Sequence, residues 1–201
     1  TNNHASALAA AAREHLVAVG QVDTGPSITL RDGNHASAGD EVRTRKNSRD
    51  LTVGSGGSYV RNRDTWTVKT VHRDGSLTVT SVGAGGSTRL PAVYAAQHVE
   101  LGYAGTAHSV QGVTVDYEHM LCDPDVARQG LYVAMSRGRT ENHVWVVAET
   151  TEHQEIPGSP VSPTAALKSA IARPISGQTA TEAFRERVDY ESLRVLQPLA
   201  D

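Results

Sequence analysis

Two polar clusters interrupt the apolar runs in the second half of this sequence, and together they limit the folds it can adopt. The first cluster lies in residues 103–112 and the second in residues 131–139. Apolar runs at residues 113–117 and 143–147 follow them. Polar groups beside buried strands cost free energy unless they have partners. The paired clusters therefore indicate a site rather than a solvated surface.

The first cluster combines hydroxyl, imidazole and amide groups within six residues: Thr106, His108, Ser109 and Gln111. Such groups suit neutral hydrogen bonding to phosphate or sugar oxygens. Gly112, which ends the cluster, permits a turn or a close approach of the backbone to a ligand. Taken alone, the same residues also suit the N-terminal cap of a helix.

The second cluster follows a segment of helical character, residues 126–135, and ends in Arg137-Gly138-Arg139. An arginine fork at the end of an element can hold a phosphate with two hydrogen bonds and stabilise charge on a phosphoryl group in transfer. In isolation, an arginine at this position equally suits the negative end of the helix dipole.

At these residues the sequence resembles superfamily 1B DNA helicases of the RecD-like type, in particular the helicase part of MobF-type conjugative relaxases. Thr106-Ala-His108-Ser-Val-Gln111-Gly112 is similar to helicase motif V, and Leu131-Tyr-Val-Ala-Met-Ser-Arg137-Gly-Arg139 is similar to motif VI. Either motif alone is a weak signal, but both occur in the family's order and spacing. The resemblance implies an α/β fold with an incomplete RecA-like (P-loop NTPase-type) parallel sheet, an inserted Src-homology-3-like β-barrel called 2B, and a helical C-terminal tail.

The resemblance also implies a domain organisation. Residues 1–50 and 98–150 correspond to the two parts of the second RecA-like domain, called 2A, and residues 51–97 to the inserted 2B barrel. A helix is expected from the first residues to about Val19, ended by Gly20. It is similar to the helix after the first strand of 2A, so we expect the chain to begin just past that strand. Residues 151–201 read as a proline-containing linker and C-terminal helices, with helical patterns at residues 165–171 and 179–196, for which the sequence suggests no function.

The charge pattern bears on nucleic-acid binding. The net charge is -3 and the sequence pI is about 6.3, so any contact with nucleic acid must be local. Six basic and three acidic residues lie between positions 40 and 63. We predict a half-exposed strand in residues 39–47, similar to a Gly-Asp-x-Val…Asn segment of the family, with Arg43, Arg45 and Asn47 as DNA contacts. A solvated charged face is about equally compatible with this composition.

Closely spaced strand and turn signals in residues 64–90 favour a small barrel. Asp74-Gly75 is the strongest of these turn signals. Trp66 and Tyr94 are capable of stacking on bases, but a tryptophan in so small a barrel is more often part of the core. Cys122 is the only cysteine, which fits a reducing, cytoplasmic location. No metal-ligand spacing occurs among the nine histidines, and no stretch approaches the length of a membrane span.

The chain has no Gly-Lys-Ser/Thr loop, and its only lysines are Lys46, Lys69 and Lys168. It therefore supplies at most half of an ATP site, and we expect it to be inactive alone. The resemblance implies that a first RecA-like domain, absent from this chain, completes a site for ATP and Mg²⁺.

The resemblance assigns a role to each site residue. Arg137 would act as the arginine finger of an ATP-dependent DNA helicase, with Arg139 as the second choice for the phosphate. Gln111 and Gly112 would sense the nucleotide, and Thr106, His108 and Ser109 would grip single-stranded DNA. Two other interpretations stay open: a non-catalytic DNA- or protein-binding module derived from a helicase, and a RecD-like DNA-repair helicase.

Overall fold

The protein has a mixed α/β fold with several sheets, most of them antiparallel. The computed structural model describes residues 2–83, 85–107, 109–110, 112–122, 126, 128–146 and 163–173. The chain divides into two compact units, Thr1–Val110 and Gln111–Asp201. The predicted linker and the helix expected at residues 179–196 lie almost wholly outside the described residues.

The first unit begins with the predicted helix, α1 (Asn2–Ala18), which buries Ala9 against the core. The main chain turns at Gly20, whose φ of 73° lies in the left-handed region that glycine tolerates. Its amide donates to the carbonyl oxygen of Val17 at 3.0 Å, which closes the end of the helix. The expected start and end of this helix are both confirmed.

In the described part of the first unit, nine short strands and one short helix follow. In chain order they are β1 (Ile28–Thr29), β2 (His35–Ala36), β3 (Glu41–Thr44), β4 (Ser48–Val53), β5 (Ser58–Val60), β6 (Thr65–Val71), β7 (Leu77–Ser81), β8 (Ser87–Leu90), α2 (Ala92–His98) and β9 (Val99–Leu101). The strands expected on either side of the Asp74-Gly75 turn are therefore present as β6 and β7.

A five-stranded antiparallel sheet in the order β8-β7-β6-β3-β9 forms the centre of this unit. β4 and β5 pair with each other, and two hydrogen bonds join β4 and the residue after it to β8: Thr88 Oγ1 to Thr52 O at 2.7 Å, and Gly54 N to Ser87 O at 3.1 Å. The sheet combines strands from all three segments assigned above to 2A and 2B. Its core is mainly valine and leucine around Trp66.

β3 differs from its sequence-based prediction. Residues 39–47 were expected to form a half-exposed strand, but Val42, Arg43 and Thr44 are all buried. The prediction of half-exposure is wrong because both faces of β3, which pairs with β6 and β9, are covered. Val42 and Thr44 lie on the core side beside Trp66, and the chain that follows β9 covers the face that carries Arg43. Alternating charges indicate exposure only when one face of a strand meets water.

The second unit contains β10 (Val115–Cys122), α3 (Arg128–Met135), β11 (Gly138–Val146) and α4 (Pro163–Ala172). β10 and β11 are parallel, with His119 opposite His143, and α3 is the helix of the connection between them. Met120, Leu131 and Ala134 form a small core. Among the described residues this is the one parallel pair, so a RecA-like sheet stays a prediction.

Candidate functional site

The first polar cluster folds into one tight turn. The carbonyl oxygen of Thr106 accepts hydrogen bonds from Ser109 N and Ser109 Oγ, both at 2.8 Å, and from Val110 N at 3.2 Å. Thr106 Oγ1 accepts from Ser109 N at 3.3 Å. The geometry thus includes the capping interaction that the residue types suggested. Ser109 is buried, with its hydroxyl engaged in the turn, whereas Thr106 is partly exposed.

Two members of the predicted site, His108 and Gln111, lie outside the described residues. Gly112 is exposed and has a φ of 89°, which fits the expected turn at the end of the cluster. Gly112 belongs to the second unit and the Thr106–Ser109 turn to the first.

The loop that carries the first cluster lies along β3. Gly102 N donates to Glu41 O at 2.8 Å, and Arg43 Nη2 donates to Gly102 O at 3.1 Å. Burial lowers the pKa of the Arg43 guanidinium, an effect that the carboxylates of Glu100 and Glu41 oppose. Arg43, predicted from the sequence as a DNA contact, therefore points its charge into the interior of the unit.

Arg45 and Asn47 also have partners within the first unit. Arg45 lies 3.4 Å from the Glu100 carboxylate, and Asn47 Oδ1 accepts from Asn62 N at 2.8 Å. The exposed basic side chains of this region are Lys46, Arg49, Arg61 and Arg63. These four, rather than the buried Arg43, make up the solvent-facing positive charge of the segment.

A buried network missed by the sequence analysis surrounds Asp40. Asp40 Oδ2 accepts from Arg13 Nε at 2.8 Å and Ser37 N at 2.7 Å, and Oδ1 accepts from Tyr103 Oη at 2.8 Å. Arg13 Nη2 also donates to Ser37 Oγ. The network joins α1, the turn before β3 and the first residue of the 103–112 stretch. The charged α1 position and the Gly-Asp turn were visible in the sequence, but nothing in it showed that they meet.

Arg137 lies just past the end of α3, as predicted, and bonds to its own unit. Its Nε donates to Val133 O at 2.8 Å, Nη2 to Ser136 Oγ at 2.8 Å and Nη1 to Val113 O at 3.4 Å. An arginine that caps the last carbonyls of its helix also complements the helix dipole. Arg139 is exposed and forms an ion pair with Asp116 at 3.2 Å.

Asn142, also missed by the sequence analysis, fixes the backbone between the two arginines. Gly138 N donates to Asn142 Oδ1 at 2.8 Å, and Asn142 Nδ2 donates to Gly138 O at 3.0 Å. A Cβ at residue 138 would lie 2.2 Å from Glu141 O, so only glycine fits there. The Arg137-Gly138-Arg139 geometry therefore depends on both Gly138 and Asn142.

The aromatic residues considered for base stacking lie in different surroundings. Trp66 is 1% exposed, which confirms the core interpretation. Tyr94 Oη donates to the carbonyl oxygen of Lys46, and its ring meets His98 edge-on at 5.3 Å. Burial, with a smaller effect of the Asp64 carboxylate, raises the pKa of Tyr94 to about 12. Neither ring is free to stack on a base without rearrangement.

The fold and these contacts define a mixed α/β protein with an arginine at the connection between two parallel strands. No protein-family model matches the chain. It is 33% identical over 142 residues to a probable conjugal transfer protein TraA of Sinorhizobium fredii, which covers 69% of the chain but 12% of that protein. It is also 32% identical over 95 residues to uncharacterized proteins of two Mycobacterium tuberculosis strains, covering 45% of the chain and 53% of each relative. The chain thus spans about half the length of these mycobacterial relatives.

No helix among the described residues combines the length and the apolar character needed to cross a bilayer.

Proposed function

We propose that this chain forms the C-terminal half of the motor of an ATP-dependent DNA helicase or translocase. In this proposal it supplies contacts to single-stranded DNA and an arginine finger, Arg137. The observation that carries the proposal is the β10–α3–β11 unit, two parallel strands joined by a helix at whose end Arg137 lies. Units of this kind build the parallel sheets of nucleotide-binding α/β proteins.

The chemistry of Arg137 fits a phosphate group. Its planar fork offers several donors, and its present acceptors are two backbone carbonyls and one hydroxyl. None of these acceptors is a carboxylate, although the charge of Glu118 is near enough to attract Arg137. Exchange of the neutral acceptors for phosphate oxygens would add attraction between opposite charges. ATP, when bound, would supply the phosphoryl group to be transferred. A first RecA-like domain would supply the phosphate-binding loop and the carboxylates that hold Mg²⁺.

The DNA-binding part of the proposal rests on the first unit. The exposed side chains of Lys46, Arg49, Arg61 and Arg63 offer charge for backbone phosphates. Thr106 is partly exposed at the start of its turn, where its hydroxyl can reach a phosphate or sugar oxygen. The similarity to a probable conjugal transfer protein supports a role in conjugation rather than repair.

Two measurements test this proposal. Fluorescence anisotropy with a labelled single-stranded oligonucleotide over a salt series should show weak binding that falls steeply with salt, because phosphate contacts release counterions. The isolated chain should hydrolyse no ATP. Absence of binding at every salt concentration would contradict the DNA-binding part, and hydrolysis by the chain alone would contradict the division of the motor between two domains.

The arginine finger is tested in the complete protein. Arg137→Ala should lower DNA-stimulated ATP hydrolysis by about a thousandfold or more, since a transition-state arginine contributes at that level. Arg137→Lys should rescue little, because a point charge lacks the planar fork. Arg139→Ala distinguishes Arg137 from Arg139 as the arginine finger, because only loss of the true finger should produce this large decrease in hydrolysis. ATP hydrolysis within a few-fold of normal in Arg137→Ala would show that the arginine only caps its helix.

The alternative function, a non-catalytic DNA- or protein-binding module, is favoured by one observation. The three hydrogen bonds of Arg137 all lie within its own unit, as in an arginine that only stabilises a helix end. In that case DNA binding by the chain would persist, and ATP hydrolysis in the complete protein would not respond to Arg137→Ala.

A further inference from the structure

We infer that Arg43 is a positioning residue: it supports the loop of residues 102–110, called here the β9 loop, from within the first unit. This role differs from the direct DNA contact that the sequence suggested for Arg43. The inference deepens the proposed function and rests on it only where DNA binding is concerned.

The burial and bonding of Arg43 indicate an interior role. Its side chain is 7% exposed, and its Nη2 donates to Gly102 O. Its Nη1 is buried and has no hydrogen-bond partner among the residues that the structure describes. Burial of a charged group costs free energy unless nearby groups pair with it or accept its hydrogen bonds. The β9 loop is the segment that Arg43 contacts through its guanidinium group.

The second observation is the fit between Arg43 and Gly105. A Cβ at residue 105 would lie 2.8 Å from Arg43 Nη1 and 2.7 Å from Ser109 Oγ. The backbone of Gly105 therefore packs directly against the guanidinium group, with the Ser109 hydroxyl beside it. No other residue type fits here without displacing one of these two polar groups.

A similar contact occurs two residues earlier along β3. A Cβ at Gly102 would lie 3.0 Å from both Cγ and Oε1 of Glu41. Glu41 and Arg43 are two residues apart on the strand, so their side chains lie on the same face. Both side chains on this face of β3 thus support a glycine of the β9 loop, and both glycines lack the side chain that would separate loop from strand.

The consequence concerns the turn that follows. Thr106 comes directly after Gly105, and its carbonyl and hydroxyl organise the turn through Ser109. If Arg43 were removed, the loop would lose the bond at Gly102 and the packing at Gly105, and the turn would lose its support. Arg43 thereby sets how Thr106 is presented to a ligand without touching that ligand.

Hydrogen exchange of the whole chain without DNA tests the positioning role directly. Arg43→Met should accelerate amide exchange in residues 102–110 by about tenfold, as expected for the loss of one charged hydrogen bond. Arg43→Lys keeps the charge but loses the fork and should exchange at an intermediate rate. Arg31→Met is the matched control, because Arg31 is exposed and pairs with the Glu100 carboxylate at 3.1 Å. It should leave the β9 loop unchanged.

Gly105→Ala provides a second variant in case Arg43→Met fails to fold. It leaves every charge in place and disturbs the same contact from the loop side, so it should also accelerate exchange in residues 102–110. Unchanged loop exchange in Gly105→Ala, or in a folded Arg43→Met variant, would overturn the positioning role.

Anisotropy with the labelled oligonucleotide then separates this inference from the proposed function. The affinity for single-stranded DNA should fall by about tenfold in both Arg43→Met and Gly105→Ala, a loss equal to that of one positioned contact. A wild-type chain that binds no DNA, but whose loop exchange responds to both variants, would refute the proposed function and support the positioning role. Loss of affinity in Arg43→Met alone, with normal loop exchange, would instead show a direct contact.

Discussion

Three donors from separate parts of the first unit converge on the carboxylate of Asp40. Its carboxylate has no exposed surface and accepts from the Arg13 guanidinium, the Ser37 amide and the Tyr103 hydroxyl. Tyr103 Oη in turn accepts from Glu41 N at 3.1 Å. Removal of one partner from a buried ion pair destabilises a protein far more than removal of one partner from an exposed pair. The reason is that the remaining charged group stays buried without a partner.

Asp40→Ala should therefore lower the free energy of unfolding of this chain by about 3–5 kcal/mol, because the buried Ser37 amide and the partly buried Arg13 and Tyr103 side chains lose their acceptor. Tyr103→Phe removes a single hydroxyl and should cost about 1–2 kcal/mol. Urea unfolding followed by circular dichroism measures both values.

The exposed pair Asp74–Arg89 is the matched control, since its N–O distance is 2.8 Å, the same as between Arg13 and Asp40. Asp74→Ala should have a smaller effect than Asp40→Ala, since water replaces Asp74 as the partner of Arg89 and the bonds to Ser76 that are also lost belong to a local turn. Equal destabilisation by the two substitutions would show that the burial of Asp40 contributes nothing.

The elements show which parts of the fold the sequence could reveal. The Asp74-Gly75 turn was predictable because its determinants are local: Gly75 has a φ of 77°, and Asp74 Oδ1 accepts from Ser76 N at 3.0 Å. The end of α1 at Gly20 was predictable for the same reason. The burial of Arg43 on β3 was not, since the chain after β9, distant in sequence, covers that face of the strand.

The candidate site divides in the same way. Arg137 at the end of α3 follows from helical periodicity and a motif, both of which can be read locally. The two hydrogen bonds between Asn142 and the Gly138 backbone, and the contact of Arg43 with Gly105, could not be predicted from the sequence. A contact between a side chain and a backbone group leaves no periodic signal. The sequence showed that residue 43 is charged, but not that its side chain points into the interior.

Glu41 on β3 should make the stability of the first unit depend on pH. Burial raises the pKa of Glu41 above its ordinary value of about 4.5, more than the neighbouring Arg43 lowers it. The native state then holds this proton more tightly than the unfolded state does. The stability that Glu41 contributes is thus present below its unfolded pKa and lost as the pH rises through the raised native value.

Glu41→Gln should remove this dependence. Relative to the variant, the wild-type first unit should gain stability as the pH falls from 8 toward the ordinary glutamate pKa of about 4.5. Urea unfolding at a series of pH values, with Trp145→Phe present in both chains so that only Trp66 fluoresces, measures the difference within this unit. That probe matters because burial also raises the pKa of Glu118 in the second unit. A wild-type-to-variant difference that stays constant with pH would contradict the assignment.

The two units of the molecule differ greatly in core size. The buried cluster of the first unit contains Trp66 and thirteen other residues, whereas the described cluster of the second contains three. The β10–β11 sheet leaves Tyr117 and Trp145 exposed. Parallel strands usually have both faces covered, and a two-stranded sheet with little core is marginally stable. We therefore expect the second unit to unfold more easily than the first.

The chain carries one tryptophan in each unit, which makes this expectation measurable. Trp66 is 1% exposed and Trp145 is 60% exposed. The variants Trp145→Phe and Trp66→Phe leave Trp66 and Trp145, respectively, as single fluorescent probes. Acrylamide should quench Trp145 strongly and Trp66 weakly. In urea the Trp145 signal should change at the lower concentration, because less apolar area is buried around it.

Trp145→Phe keeps the larger core intact and should leave the unfolding midpoint seen by Trp66 unchanged. Trp66→Phe removes part of that core and should lower the stability of the first unit by about 1–3 kcal/mol, which circular dichroism reports independently of the remaining tryptophan. If both probes gave one coincident transition, the molecule would unfold as a single cooperative body. The β10–α3–β11 unit would then owe its stability to more than the small core that its described residues provide.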